Sequence, residues 1–147
     1  MIIIKNILMP TDLSDYAGYA LDYAREFAST YGAGLHLLHV LDLHWLGSGA
    51  VIANALPQYE RDRQAQLNAM KSEIEGIDVK ATVNTGVPHA AIVRYARDHD
   101  IDLIVLATHG RKGVSHALIG SVAEKVVQMA PCPVLTVKHP EHEFVLP

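Results

Sequence analysis

The sequence lacks most of the features that would assign it at a glance. It carries one cysteine, Cys132, so no intramolecular disulfide forms, and a reducing cytoplasmic setting is expected. No apolar run approaches the ~18–20 residues that cross a bilayer, so no membrane span is expected. Met1-Ile2-Ile3-Ile4-Lys5 is apolar but short, has no basic leader and runs into Pro10 and Asp12. It reads as a strand, not a signal peptide. Basic residues are outnumbered, 12 against 16 acids, for a formal net charge of −4. Phosphate-backbone binding needs a basic footprint, so nucleic acid is not an expected partner. The Gly-x-x-x-x-Gly-Lys-Ser/Thr phosphate loop is absent. So is any evident set of nucleophile, base and orienting group, and efficient catalysis is not expected.

What is present is apolar content and alternation. Half of the 147 residues are hydrophobic, enough for one folded core in one domain. Ile2–Met9, Leu35–Leu41, Ile101–Leu106 and Val134–Val137 are apolar runs of strand length, and near-continuous runs suit strands covered on both faces. Asp78–Thr85 instead alternates, as a strand at a sheet edge does. Between the runs the period lengthens. Ala17, Ala20, Leu21, Ala24, Phe27, Ala28 and Tyr31 mark one helical face, with Ser14 as the expected N-cap and Gly32 as the stop. Further helices are expected over Gln58–Glu75, after Pro88 with Ala91, Ile92, Tyr95 and Ala96 inward, and over Gly120–Met129 with Val122, Val126 and Met129 inward. Asp42–Pro57 has no clear period and reads as a long loop, either a lid, a partner surface or a segment folded on the core. The β-α-β-α-β-α-β-α-β order predicts an α/β three-layer sandwich, Rossmann-like, with an open five-stranded parallel sheet and right-handed crossovers. The domain spans residues 1–140 and a tail spans 141–147, the chain from His139 onward being polar.

In such a sheet, ligands bind beyond the carboxyl ends of the strands, where the strand order reverses. That rule selects Pro10, Thr11 and Asp12, then Val40, then Leu106, Ala107, Thr108, His109 and Gly110. The most informative stretch is Ala107-Thr108-His109-Gly110, nine residues, then Gly120-Ser121. Gly110 suits a sharp turn. Gly120 opens a helix whose first amides are free to meet an anion. Ser121 adds a hydroxyl, and Arg111 and Lys112 add positive charge. Ser121-Val122-Ala123-Glu124 equally fits a capping box, in which the serine would serve its own helix.

The nine histidines show no zinc-ligand spacing. His36 and His39 fall on opposite faces of their strand and cannot jointly grip a metal. His109 and His116 lie in the glycine-containing loop, within reach of a phosphate, and His109 alternatively holds the loop by a backbone bond. Cys132, between Pro131 and Pro133, reads as a buried, inert thiol.

The chain resembles the universal stress protein family from Asn6 to Lys138. The carrying segments are Ile7-Leu8-Met9-Pro10-Thr11-Asp12-Leu13-Ser14, Leu37-Leu38-His39-Val40, Asp102 through Gly110, Gly120 through Val126, and Pro131-Cys132-Pro133-Val134-Leu135-Thr136-Val137. The resemblance implies an adenine-nucleotide site of the ATP-binding type and a homodimer paired through the last strand. It implies that Pro10, Thr11, Asp12 and Val40 line the base and ribose, and that Leu106, Ala107, His109, Gly110, Gly120, Ser121, Val122 and Ala123 line the phosphates. The family loop is Gly, two residues, Gly, nine residues, Gly, then Ser or Thr. Ala107 stands at its first position, where a methyl implies less room. ATP, ADP or AMP, with Mg2+ accompanying the nucleotide, is the implied ligand. Three roles stay open: a nucleotide-binding regulatory module of the stress response, a slow ATP hydrolase using Asp12, His109 and a divalent ion, or a dimeric adaptor that binds no nucleotide.

Overall fold

The computed structural model describes residues 1–15, 17–46, 49–108 and 119–138. Five strands form one parallel sheet: β1 (Asn6–Pro10), β2 (Gly34–Leu41), β3 (Val79–Thr85), β4 (Leu103–Ala107) and β5 (Val134–Val137). Their order is β3-β2-β1-β4-β5. The helices are α1 (Ala17–Tyr31), α2 (Leu43–Leu46), α3 (Ala50–Ser72), α4 (Pro88–Asp98) and α5 (Ser121–Met129). Parallel neighbours require crossovers, and the helices supply them on both faces.

Side-chain alternation divides the core in two. Ile7, Met9, Leu35, Leu37, Leu103, Val105 and Val137 pack with Ala20, Ala24 and Ala28 of α1 and Leu67 of α3. Leu8, Leu38, Ile104 and Leu106 pack with Ile92, Tyr95 and Ala96 of α4 and Ala123 and Val126 of α5. This double coverage is why the central strands read as near-continuous apolar runs. The alternating strand, β3, lies at a sheet edge with only β2 beside it, as expected.

Several boundaries differ from the sequence reading. Ile2 and Ile3 are outside β1 and 76% and 66% exposed, because the register with β2 begins only at Asn6↔Gly34 and no described strand pairs with them. The segment 42–57 is not one long loop: α2 occupies part of it, and α3 starts at Ala50 and continues through Pro57. The helix expected over Gln58–Glu75 is the C-terminal part of α3, with Leu67 inward as read; the turns before it are the part the sequence reading assigned to loop. Among the described residues helix α1 begins at Ala17, and the Ser14 hydroxyl bonds Asp12 Oδ1. Gly32 does end α1, at φ +64 with the Ala33 amide returned to the Ala28 carbonyl. In α5 the inward residues are Ala123 and Val126, with Ala130 beyond them, while Met129 is 54% exposed. Val122 packs against the same cluster and Val126 is fully buried, as expected, so of the three residues expected inward only Met129 faces solvent. No helix among the described residues is long and apolar enough to cross a membrane. The tail 141–147 lies outside the described residues.

Candidate functional site

The connections from β1 through β2 to β3 progress one way across the sheet, and those from β4 to β5 progress the other way. The order therefore reverses between β1 and β4, which pair directly through Ile7↔Leu103 and Leu8↔Ile104. The crevice beyond their carboxyl ends is flanked by the turn after β1 and by the start of α5.

The turn after β1 is built by short-range bonds. Thr11 donates its amide to the Leu38 carbonyl (2.9 Å), extending the strand contact by one residue. Its Oγ1 accepts the Leu13 amide at 3.0 Å. Asp12 Oδ1 accepts the Ser14 amide at 2.9 Å and the Ser14 hydroxyl. These bonds enclose Leu13, a non-glycine residue at φ +63. The Thr11 carbonyl is met at 2.8 Å by Nδ1 of His39. Thr11 and His39 are both buried, at 7% and 6% exposure, and Asp12 is half-buried.

The opposite wall is the start of α5. Gly120 is its N-cap, with extended backbone (φ −68, ψ 156) and no side-chain cap bond. Its amide donates to the Thr108 carbonyl at 2.7 Å. A Cβ built on Gly120 would stand 2.9 Å from that same oxygen. The first intrahelical bond runs from the Glu124 amide to the Gly120 carbonyl at 2.9 Å. The amides of Ser121, Val122 and Ala123 therefore have no acceptor within the helix, at the end where the helix dipole is positive. Ser121 is the first helical residue, not the cap, and it is exposed. The capping-box alternative for Ser121 is not realised.

The structure brings Pro10, Thr11 and Asp12 to the β1 side and Gly120, Ser121, Val122 and Ala123 to the α5 side. Val40 is half-buried near the end of β2. Leu106 is a core residue, 6% exposed and packed in the α4–α5 cluster, with little surface left for a ligand. Ala107 is half-buried, and its packing is with the cluster on the α1 side. His109 and Gly110, with Arg111, Lys112 and His116, lie outside the described residues. Two surface cavities lie elsewhere: one of about 240 Å³ beside α4, lined by residues including Asn84, Arg94, Tyr95 and His99, and one of about 380 Å³ lined by residues including Asp22, Arg25 and Glu75.

With this geometry in place, the profile of the Universal stress protein family matches residues 4–138. The chain belongs to the universal stress protein family. It is 34% identical over 145 residues to Universal stress protein MJ0531 of Methanocaldococcus jannaschii, covering 95% of this chain and 85% of that protein. The solved structure of MJ0577 from the same organism superposes with a TM-score of 0.88 at 31% identity, covering 95% of this chain and 99% of that one. At 23% identity the fold is shared with a universal stress protein solved with cAMP (TM-score 0.69, covering 93% and 98%) and with one from Archaeoglobus fulgidus solved with dAMP (TM-score 0.64, covering 92% and 98%).

Sequence reasoning missed two histidine roles. His39, which the strand alternation rules out as a metal partner of His36, braces the Thr11 carbonyl. Its signal was its position in Leu37-Leu38-His39-Val40, beside the end of β1. His36 faces the other way, as alternation requires, with Nδ1 2.8 Å from the Tyr95 hydroxyl. The Tyr95 ring stacks on His99 at 3.7 Å, and His99 Nδ1 donates to the Tyr95 carbonyl at 3.0 Å. Burial chiefly, with Lys80 and His99 adding to it and Asp78 opposing, lowers the His36 pKa below its ordinary 6.5. Burial raises the Tyr95 phenol, against a hydrogen bond from Thr82. Cys132 is half-buried, not fully buried, and burial followed by the Asp102 charge pushes its thiol up, which suits an unreactive sulfur. No group of three or more metal-ligating side chains occurs among the described residues.

Proposed function

We propose that this family member binds ATP, or ADP or AMP, in the crevice over β1 and β4, and acts as a regulatory module of the cytoplasmic stress response. The observation that carries the reading is the start of α5. Among the described residues it has no side-chain cap bond, the amides of Ser121, Val122 and Ala123 have no acceptor within the helix, and Ser121 is exposed. That donor set fits an anion and fits phosphate in particular. The turn at Thr11 and Asp12, with Val40 beside it, then takes the ribose and base. Ala107, His109 and Gly110 would complete the phosphate side, and Mg2+ would accompany the nucleotide.

Magnitudes favour a ligand with a base over a bare anion. Charge-assisted hydrogen bonds contribute about 1.5–3 kcal/mol each, so four give roughly 6–12 kcal/mol. Association costs about 4–15 kcal/mol before net affinity appears. Micromolar binding, about −8 kcal/mol, therefore needs apolar burial as well as phosphate contacts. The nucleotide complexes of the two distant fold relatives fit this choice of ligand class.

We further propose a homodimer formed through β5, whose outer edge has no strand beside it among the described residues. A second copy would cover that edge. Light scattering at micromolar concentration tests this, and a monomer mass refutes it. Calorimetry with ATP, ADP and AMP, each with and without magnesium, tests the site. Saturable heat at micromolar to low millimolar nucleotide is expected. No heat and no thermal shift at millimolar ATP would overturn the proposal and leave the adaptor role.

A further inference from the structure

We infer that His39 is a positioning residue that sets the turn after β1 for the nucleoside part of the ligand. This inference rests on the adenine-nucleotide reading of the crevice, and it names what holds one wall of that crevice in shape.

The physical need arises where β1 and β2 part. Their pairing ends at Pro10↔Leu38, and the Thr11 amide makes one more bond to Leu38. β2 continues to Leu41, now pairing only with β3. The Thr11 carbonyl is thus the first group of this chain that has left the ladder. Thr11 is 7% exposed, and a buried carbonyl without a donor is costly. His39, the next residue along β2, supplies the donor from its side chain. A carbonyl oxygen only accepts, so the 2.8 Å contact fixes the proton on Nδ1.

The bond matters because the turn beyond it is strained. Leu13 stands at φ +63, a conformation that L residues with a Cβ resist. Such a conformer persists only when its surroundings over-determine it. Three bonds within the turn do part of this, from Leu13 to Thr11 Oγ1 and from the Ser14 amide and hydroxyl to Asp12 Oδ1. All three move with the turn. The His39 bond reaches across from β2 and ties the turn to the sheet by a side chain. Without it the turn keeps its anchor at the Thr11 amide but loses the brace on the carbonyl side, and the wall of the ribose and base side loosens.

The experiment compares His39→Leu, His39→Asn and His39→Gln with the unaltered protein. Asparagine places an amide nitrogen near the position of Nδ1, and glutamine places it further out. Two quantities are read: calorimetric affinity for adenosine and for ATP, and hydrogen exchange at the Leu13 and Ser14 amides without ligand. His39→Leu should weaken adenosine and ATP alike by about tenfold, the factor carried by one ordinary hydrogen bond. It should also speed exchange at both amides. His39→Asn should restore both readouts towards the unaltered protein, and His39→Gln should not. Undiminished affinity and protection in His39→Leu would overturn the inference. If His39→Leu does not fold, equal behaviour of the asparagine and glutamine variants overturns it instead. If the unaltered protein binds neither adenosine nor ATP, the nucleotide reading fails on its own. Hydrogen exchange then decides the role of His39: loosening in the leucine variant and rescue by asparagine support it, and equal protection refutes it.

Discussion

Gly120 and Thr108 meet backbone to backbone: the Gly120 amide donates to the Thr108 carbonyl at 2.7 Å, and a side chain on Gly120 would press on that oxygen. The chain therefore leaves the sheet and returns to it at one point, and α5 starts from a fixed origin. The glycine that the sequence marks for ligand access is required first by this contact. Its amide is also already used, so the free donors begin at Ser121.

Gly120→Ala should accordingly destabilise the protein before any ligand is considered. A Cβ 2.9 Å from a backbone oxygen forces a shift, and overpacking of this kind costs about 1–3 kcal/mol. Urea denaturation should show a lower midpoint with an unchanged slope. Equal stability would mean that α5 can slide away from Thr108 freely. Gly120→Val should be worse, so lost ATP binding in that variant reports on the fold as well as on the ligand.

Ser121→Ala separates the two proposed uses of the hydroxyl. The helix has no side-chain cap bond to lose, so stability should stay within about 0.5 kcal/mol of the unaltered protein. ATP affinity should fall by about five- to tenfold, and adenosine affinity should not change. A stability loss of about 1 kcal/mol, the usual cost of losing an N-cap, with unchanged ATP binding would restore the capping role.

Ala107→Gly tests whether the departure from the family loop matters. The alanine packs with the α1-side cluster, whereas α5 packs on the opposite face of the sheet. Its methyl should therefore take little room from phosphates at the start of α5. ATP affinity should change by less than about threefold, and stability should fall by roughly 0.5–1 kcal/mol from the added backbone freedom. A gain above about tenfold in ATP affinity would show that the methyl intrudes on the ligand.

Acid should weaken the packing of α4 through His36. Its folded pKa lies below the unfolded value of 6.5, chiefly because burial disfavours the charged ring. The unfolded chain therefore binds the proton more readily between the two values. The stabilising contribution is complete above 6.5 and is lost as pH falls from there through the folded pKa. Lys80 and His99 deepen the effect, and Asp78 opposes it. Urea midpoints measured from pH 8 to pH 5 should fall for the unaltered protein and fall less for His36→Phe. Parallel curves for the two proteins would remove His36 as the cause.

Much of the fold was legible from periodicity because it follows from local chemistry. Double coverage by helices makes β1, β2 and β4 near-continuously apolar, and Gly32 stops α1 because a left-handed residue is needed there. β5 runs from Val134 to Val137, as read from the sequence. Legibility failed where burial is slight or where the partner is distant. α3 was legible from Gln58 onward, but its first turns run through Pro57, a residue that ordinarily ends a helix, and do not read as one. Ile2 and Ile3 look like strand but lie ahead of the register, which begins at Asn6↔Gly34, and pair with no described strand.

For the site, the sequence alone determined which strand ends and which helix start carry ligand-suited residues, since glycine spacing and strand order are written along the chain. Only the tertiary structure decided how those residues divide their work. It put Leu106 into the core, took the Gly120 amide for Thr108, and set His39 against the Thr11 carbonyl and His36 against Tyr95. The reason is physical. A side chain's propensity acts on its neighbours in sequence, whereas a buried polar group is satisfied by whatever group the fold brings within hydrogen-bond reach.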